Sequence, residues 1–227
     1  MPAAKRIVCL ANSRKLNGRC IAGRELFDDG VGPWIRPVSE REHEEVSEYE
    51  RQYQDGSDPK VLDIIHVPVL GPRPRAYQSE NWLIEAGWYW IKVGQVGYPD
   101  LINLVDPVGP LWLNGGSTYN GLNDEIPLDQ AERLGQSLTL IQVDALRISV
   151  YSPGASFGNP KRRVQAQFTY GGVEYHLWVT DPAYERTFLA EPNGTYDLGP
   201  CFLTVSLGEP YQDCVYKLVA AIIQEPA

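Results

Sequence analysis

The sequence lacks any apolar run that approaches the roughly 18–20 residues of a membrane-spanning helix. Its opening stretch, MPAAKRIVCLANSRK, has an apolar core of only IVCLA, which is too short for a signal peptide. We therefore expect a cytoplasmic protein without a membrane partner.

Metal-binding patterns are also missing. The four cysteines form no CxxC pair and the three histidines are scattered along the chain, so the ligand spacing of a zinc site is absent. Each cysteine lies in an apolar, strand-like run, which is typical of a buried reduced thiol. We expect no metal and no disulfide from these cysteines, which are Cys9, Cys20, Cys201 and Cys214.

The sequence contains no familiar catalytic motif. A P-loop, a GxGxxG after a strand, a GxSxG and an HExxH are all absent. The glycines of DGVG and LNGG indicate turns, because neither stretch leads into a helix that begins with Lys-Ser/Thr. His176 lies in a strand pattern between Tyr175 and Leu177, and we expect it at the solvent or at a barrel rim. These absences predict a non-enzymatic protein that needs no cofactor.

The residues that are present have the composition of a globular β protein. Of the 227 residues, 43% are hydrophobic, which is enough to form a core. The chain also has 21 Gly and 18 Pro, a content that predicts many short strands joined by tight turns. Its length suits one large β domain or two small ones.

The first half of the chain predicts a basic hairpin followed by an acidic helix. KRIVCLA and RCIAGREL have the pattern of two strands around the turn NSRKLNG. We predict a surface helix over residues 39–53, because Ser39 and Glu42 form the pattern of a capping box and acids fill the first turns. A second short helix is predicted over residues 99–106.

The second half predicts the strand order of an OB-fold. It follows a Gly- and Asn-rich stretch, which we interpret as the boundary between domains 1–127 and 128–227. Three strands, a short helix and two further strands then occur in the order of this Greek-key barrel. Two glycines, 171 and 172, predict a hairpin turn between the second and third strands. The first half has a similar but less regular order. The five strands are QSLTLIQVDALRISVY, KRRVQAQFTY, VEYHLWVT, PCFLTVSLG and CVYKLVAAII.

Several stretches are distinctive in combination. They are KRIVCLANSRKLNGRCIAGREL at the start, WIRPVS at 34–39, VLDIIHVPVL at 61–70, QSENW at 78–82, YHLWVTDPAYE at 175–185 and LTVSLGEPYQDCVYKLVAAII at the end. Together they resemble the bacterial dual OB-containing domain proteins over nearly the whole chain. The resemblance implies an all-β fold of two OB-like five-stranded barrels and a nucleic-acid or nucleotide ligand. It also implies a link of some members with bacterial defence against mobile elements, and it supplies no list of catalytic residues.

Positive charge is concentrated in a chain whose formal net charge is -9. Residues 1–24 carry six basic side chains and no acid. For the hairpin tip, the alternative to an anion site is an ordinary solvated turn. The candidate anion-binding residues are Arg14, Lys15 and Arg19 at the hairpin tip, Arg36 beside Trp34, and Lys161, Arg162 and Arg163 at the start of a C-terminal strand.

The charge and the aromatic residues together define the expected ligand. An acidic protein repels a long polyanion, so a short single strand or a nucleotide suits a small basic patch better than a duplex does. OB-folds bind along their second and third strands, where each of Phe168, Tyr170, Tyr175 and Trp178 is either core or a stacking surface. We therefore expect a module that binds single-stranded DNA, RNA or a nucleotide. The alternative is a scaffold subunit that holds a protein partner with its edge strands and acidic helix.

Overall fold

The computed structural model describes residues 3–226 of the chain. They form two compact units. The first unit ends at Leu104 and also includes Gly135–Ser137, and the second comprises Val105–Leu134 and the chain from Leu138 onwards. The division thus falls earlier than the predicted boundary at 127/128. The reason is that the Gly- and Asn-rich stretch packs with the second unit, where Leu111 is part of the core.

The strands of the first unit follow the order of an OB-fold. β1 pairs with β2 and also with β4. β3 pairs with β2 in an antiparallel manner and with β5 in parallel, and β5 pairs with β4. The pairings therefore lead back to β1, with β6 added beside β4. These strands are β1 (Ala3–Lys15), β2 (Gly18–Phe27), β3 (Gly30–Val38), β4 (Asp63–Pro72), β5 (Asn81–Ile84) and β6 (Ile91–Gln95).

Between β3 and β4, the predicted surface helix over residues 39–53 is wrong in extent. Helix α1 covers only Glu48–Arg51, and its capping box is formed by Ser47 and Glu50. Ser39, the predicted cap, is buried, and its hydroxyl donates to a carboxylate oxygen of Glu50 at 2.6 Å. The apolar stripe of this segment is too sparse to bury a longer helix against the sheet.

The second unit has the predicted order of three strands, a helix and two strands. Its strands and helices are β7 (Glu125–Pro127), α2 (Leu128–Ala131), β8 (Leu138–Tyr151), β9 (Arg163–Tyr170), β10 (Val173–Val179), α3 (Pro182–Ala190), β11 (Gly194–Leu207) and β12 (Cys214–Ile223). Gly171 and Gly172, at φ values of 58° and 77°, form the tight turn between β9 and β10.

The pairings of the second unit also return to their starting strand. β8 lies between β9 and β11, and β12 lies between β11 and β10, with which it pairs in parallel. This is the strand order of the first unit again, with β7 added beside β12. The two-unit, OB-like, all-β fold is therefore confirmed.

Other predictions concern thiols, membranes and metals. All four cysteines are free thiols, and Cys9 and Cys201 are buried. Among residues 3–226, no helix has the length and apolar character needed to cross a membrane. The same described range contains no group of three or more His, Cys, Asp and Glu side chains arranged to hold a metal ion.

Candidate nucleic-acid interface

The basic hairpin, defined by Arg14, Lys15 and Arg19, lies at the β1–β2 turn. Arg14 and Arg19 are direct cross-strand partners. Arg14 is exposed, whereas Lys15 and Arg19 are half-buried. The structure thus brings the predicted cations together at one tip.

An acidic segment runs beside this tip, although the sequence around the hairpin contains no acid. The backbone of Arg19 forms a two-way β-bridge with Val46. The side chain of Glu45 covers Gly18, where an added Cβ would lie 2.6 Å from Glu45 Cγ. A carboxylate-bearing chain therefore packs on the hairpin from within the same unit, and the positive charge is less isolated than the sequence indicates.

Arg36 and Trp34 are not available to a ligand, which corrects their predicted role. Arg36 is 3% exposed, and its guanidinium lies 3.2 Å from a carboxylate oxygen of Glu80 and donates to Ser137 Oγ at 2.8 Å. Trp34 is 4% exposed, with Arg24 on the neighbouring strand 5.9 Å from the centre of its ring. Both residues contribute to packing and buried pairing in the first unit.

The third basic group separates into distinct roles. Arg162 donates to the backbone carbonyls of Leu189 and Glu191, so it caps the C-terminal end of α3. Lys161 is exposed in the β8–β9 connection. Arg163 lies on β9 with its guanidinium carbon 3.9 Å from the centre of the Trp178 ring.

The aromatic residues of β9 and β10 divide between core and surface. Phe168, Tyr170 and Tyr175 are buried, and the rings of Phe168 and Tyr175 stack with their centres 5.5 Å apart. Trp178 alternates to the outer face of the sheet and is half-buried. Of the predicted aromatic candidates, only Trp178 therefore presents a surface to a ligand.

Trp178 and Arg163 form the floor of a cleft of about 670 Å³, here called the aromatic cleft. Its walls come from the β8–β9 connection, the β11–β12 connection and the segment that precedes β7. The cleft is lined by Thr118, Tyr119, Asn120, Pro153, Gly154, Phe157, Arg163, Trp178, Gly208, Glu209, Tyr211, Gln212, Tyr216 and Leu218.

Three exposed aromatic rings stand at the mouth of this cleft. Tyr119 is 86% exposed, Phe157 is 75% exposed and Tyr211 is 64% exposed. The rings of Tyr119 and Phe157 meet edge to face with their centres 6.2 Å apart. Large aromatic side chains are costly to leave in water, so a concentration of them around one cleft indicates a contact surface.

The segment that carries Tyr119 is held rigidly by two buried groups. The carboxylate of Asp124 accepts hydrogen bonds from the backbone amide and the hydroxyl of Thr118, at 2.7 and 2.6 Å. Lys217 on β12 is buried, and its Nζ donates to the carbonyls of Leu113 and Asn123 at 2.6 and 2.7 Å. Burial lowers the pKa of Lys217 to about 8.

A second cleft, here called the polar cleft, continues from the aromatic cleft and has a volume of about 650 Å³. The two clefts share Tyr119 and Asn120. Gln165 in its floor is fixed in orientation, since its Nε2 donates to the carbonyl of Asn120 at 2.6 Å and its Oε1 accepts from Gln167 at 3.2 Å. Other side chains in its lining are Ser149, Tyr151, His176, Asn193 and Thr195.

The outer face of the second unit is thus a groove along the second and third strands, bordered by the loops after the first and fourth strands. This arrangement defines an OB-type module with an open binding face. The chain belongs to the dual OB-containing domain family, whose model matches residues 5–222. The resemblance seen in the sequence is therefore confirmed. A comparison with curated proteins finds no match.

The loop residues of the site were not predicted from sequence patterns. Tyr119, Phe157 and Tyr211 lie in turn-rich stretches between the strands. A usable signal was present, because a large aromatic residue among Gly, Asn, Ser and Pro cannot be buried by a regular element. Nothing in the local sequence shows that the three stretches meet in space.

Proposed function

We propose that the second unit binds single-stranded DNA or RNA, or a nucleotide, in the aromatic cleft. The observation that carries this proposal is the position of Arg163 on the second strand and Trp178 on the third. The exposed rings of Tyr119, Phe157 and Tyr211 surround this pair. Bases stack on such rings regardless of their identity, while the guanidinium reaches a phosphate.

Charge supports a single strand over a duplex. Arg163 is the one cation among the residues that line the cleft, Glu209 also lines it, and the chain has a net charge of -9. Duplex binding depends on neutralising many phosphates, whereas stacking supplies affinity without cations. The proposed link with defence against mobile elements rests on the family resemblance alone.

The test is fluorescence anisotropy with labelled oligothymidylate and oligouridylate at low salt. The variant replaces Tyr119, Phe157 and Tyr211 together with Ala, since these exposed side chains contribute little to the fold. Losing even one stacked base should weaken binding by about fivefold or more, which corresponds to at least about 1 kcal/mol.

A matched control replaces Trp88 and Tyr89 with Ala, because these two aromatic residues are also exposed but lie in the first unit. The control should bind like the wild type. Equal affinity of the triple variant and the wild type would place the site elsewhere, and absence of binding by the wild type would reject the proposed function.

The second candidate function is that of a scaffold, and an apolar strand in the first unit favours it. β6 is the last strand in the pairing order of its sheet. Ile91 and Val93 on this strand are exposed, as are Trp88 and Tyr89 just before it. An exposed apolar edge strand suits pairing with another chain. Replacing Ile91 and Val93 with Lys should abolish cross-linking to such a partner and leave oligonucleotide binding unchanged.

A further inference from the structure

We infer that the groove of the second unit accepts only a short strand, of about four nucleotides or fewer, which is the lower limit for OB-folds. This inference rests on the proposed function of the same face. It follows from the order of the side chains along the groove and from a change in their charge.

The outer side chains form successive cross-strand rows. Trp178 pairs with Gln165 in one row, and His176 pairs with Gln167 in the next. Rows are separated by two residues on each strand, or about 6.6 Å. The aromatic cleft lies at the first row, and the polar cleft extends from it to the second.

Beyond these rows the groove becomes acidic. A third cleft of about 420 Å³ shares Gln167 with the polar cleft and is lined by Arg147, Glu174 and Asp197. Arg147 forms an exposed ion pair with Asp197 at 3.1 Å, so its charge is already matched. The carboxylate of Glu174 is exposed and contacts His176 at 3.0 Å.

The single cation of this third cleft therefore faces two carboxylates. A strand that starts on Trp178 and Arg163 and follows the rows would bring its next phosphates toward Glu174 and Asp197. Like charges at this end repel the phosphates and remove the gain from each further nucleotide. The favourable part of the groove ends after the polar cleft.

The first experiment measures the affinity of oligothymidylates from 2 to 16 nucleotides, corrected for the number of binding registers on each oligonucleotide. The corrected affinity should stop rising at about four nucleotides. A steady rise through eight nucleotides would overturn the short-groove inference while leaving the proposed function intact. No binding at any length would reject the proposed function itself and the inference with it.

The second experiment extends the groove by changing its charge. Glu174→Lys should tighten binding of the 16-mer by roughly threefold or more. The slope of log affinity against log salt concentration should steepen by about 0.7, the value for one added phosphate contact on a single strand. Binding of the trimer should not change. The control for net charge is Glu132→Lys, because Glu132 is exposed in the same unit and lines none of the three clefts. Equal effects of the two variants, or no effect of Glu174→Lys, would overturn the inference.

Discussion

The two units share a strand order, but the corresponding surface is buried in the first unit and open in the second. In each unit, an Arg on the second strand lies against a Trp on the outer face of the third: Arg24 with Trp34 in the first, and Arg163 with Trp178 in the second. Trp34 is buried, whereas Trp178 faces an open cleft. The pair is thus a packing element in one unit and a candidate binding floor in the other.

This difference shows that OB topology does not by itself create a site. What distinguishes the second unit is the set of loops that border the outer face and expose aromatic rings. In the first unit, Arg36, two residues after Trp34, is buried and forms an ion pair with the buried Glu80. The function of an OB fold therefore depends on the burial of its outer face and on the chemistry of the loops around it.

The largest effect is expected from breaking the buried pair of the first unit. Arg36→Met leaves the carboxylate of Glu80 buried and unpaired, and should lower the free energy of unfolding by about 3–5 kcal/mol. Arg147→Met removes an exposed pair with Asp197 and should cost about 0–1 kcal/mol. The free energy of unfolding of both variants is measured by urea denaturation and, separately, by calorimetry. Similar losses for the two variants would contradict the contrast in burial.

The next effect concerns the lysine that holds the Tyr119 segment. Lys217→Met leaves the carbonyls of Leu113 and Asn123 without their donor, and should lower the free energy of unfolding by about 2–4 kcal/mol. Oligonucleotide affinity should also fall, because Tyr119 loses its support. A variant that is destabilised yet binds normally would show that the loop needs no such support.

Lys217 also has a pH signature. Its pKa is lowered to about 8 in the folded state, so between pH 8 and about 10.4 the unfolded chain holds a proton that the folded chain has released. This group therefore makes the free energy of unfolding rise with pH in that window. Urea denaturation at several pH values between 8 and 10.4 should show this rise in the wild type but not in Lys217→Met.

A smaller effect comes from one buried thiol in each unit. Burial raises the pKa of Cys9, and it raises the pKa of Cys201 to about 12. Above pH 9 the unfolded thiols lose protons that the folded ones retain, so each lowers the free energy of unfolding by about 1.4 kcal/mol per pH unit. Cys201→Ala should make the free energy of unfolding fall less steeply above pH 9, because the contribution of one thiol is removed. An unchanged slope would show that the thiol titrates alike in both states.

The smallest effect is expected at the basic hairpin. Replacing Arg14, Lys15 and Arg19 with Ala should change oligonucleotide affinity by less than about twofold, since the proposed site lies in the other unit. The salt dependence should also stay constant. If the slope of log affinity against log salt concentration flattens by about two, as expected for three lost phosphate contacts, the site lies in the first unit. The contrast between the two units would then be wrong.

Sequence patterns predicted the regular parts of the second unit well. The alternation of apolar residues in β8, β9 and β10 reflects one buried face, and Gly171 with Gly172 supplies the two positive φ values of a tight turn that hairpins favour. The helix after Asp181 was predictable because this Asp accepts from the first backbone amides and Pro182 follows it.

The failures concern contacts between distant parts of the chain. Arg36 has the sequence context of a free cation, and only the fold places Glu80 beside it. The hairpin is without acid in sequence, but Glu45 packs on Gly18. Local patterns carry no information on such pairings. The helix predicted over residues 39–53 failed for a local reason instead, because it begins at the capping box of Ser47 and Glu50 rather than at Ser39.

The anchoring of the Tyr119 segment by Asp124 and Lys217 has a kinetic consequence. The segment is ordered when the unit folds, so little conformational entropy remains to be lost when a ligand arrives. Stopped-flow traces should then show a single association phase whose rate rises linearly with oligonucleotide concentration. The lifetime of the complex would be set by the unstacking of bases from a surface that is already in place.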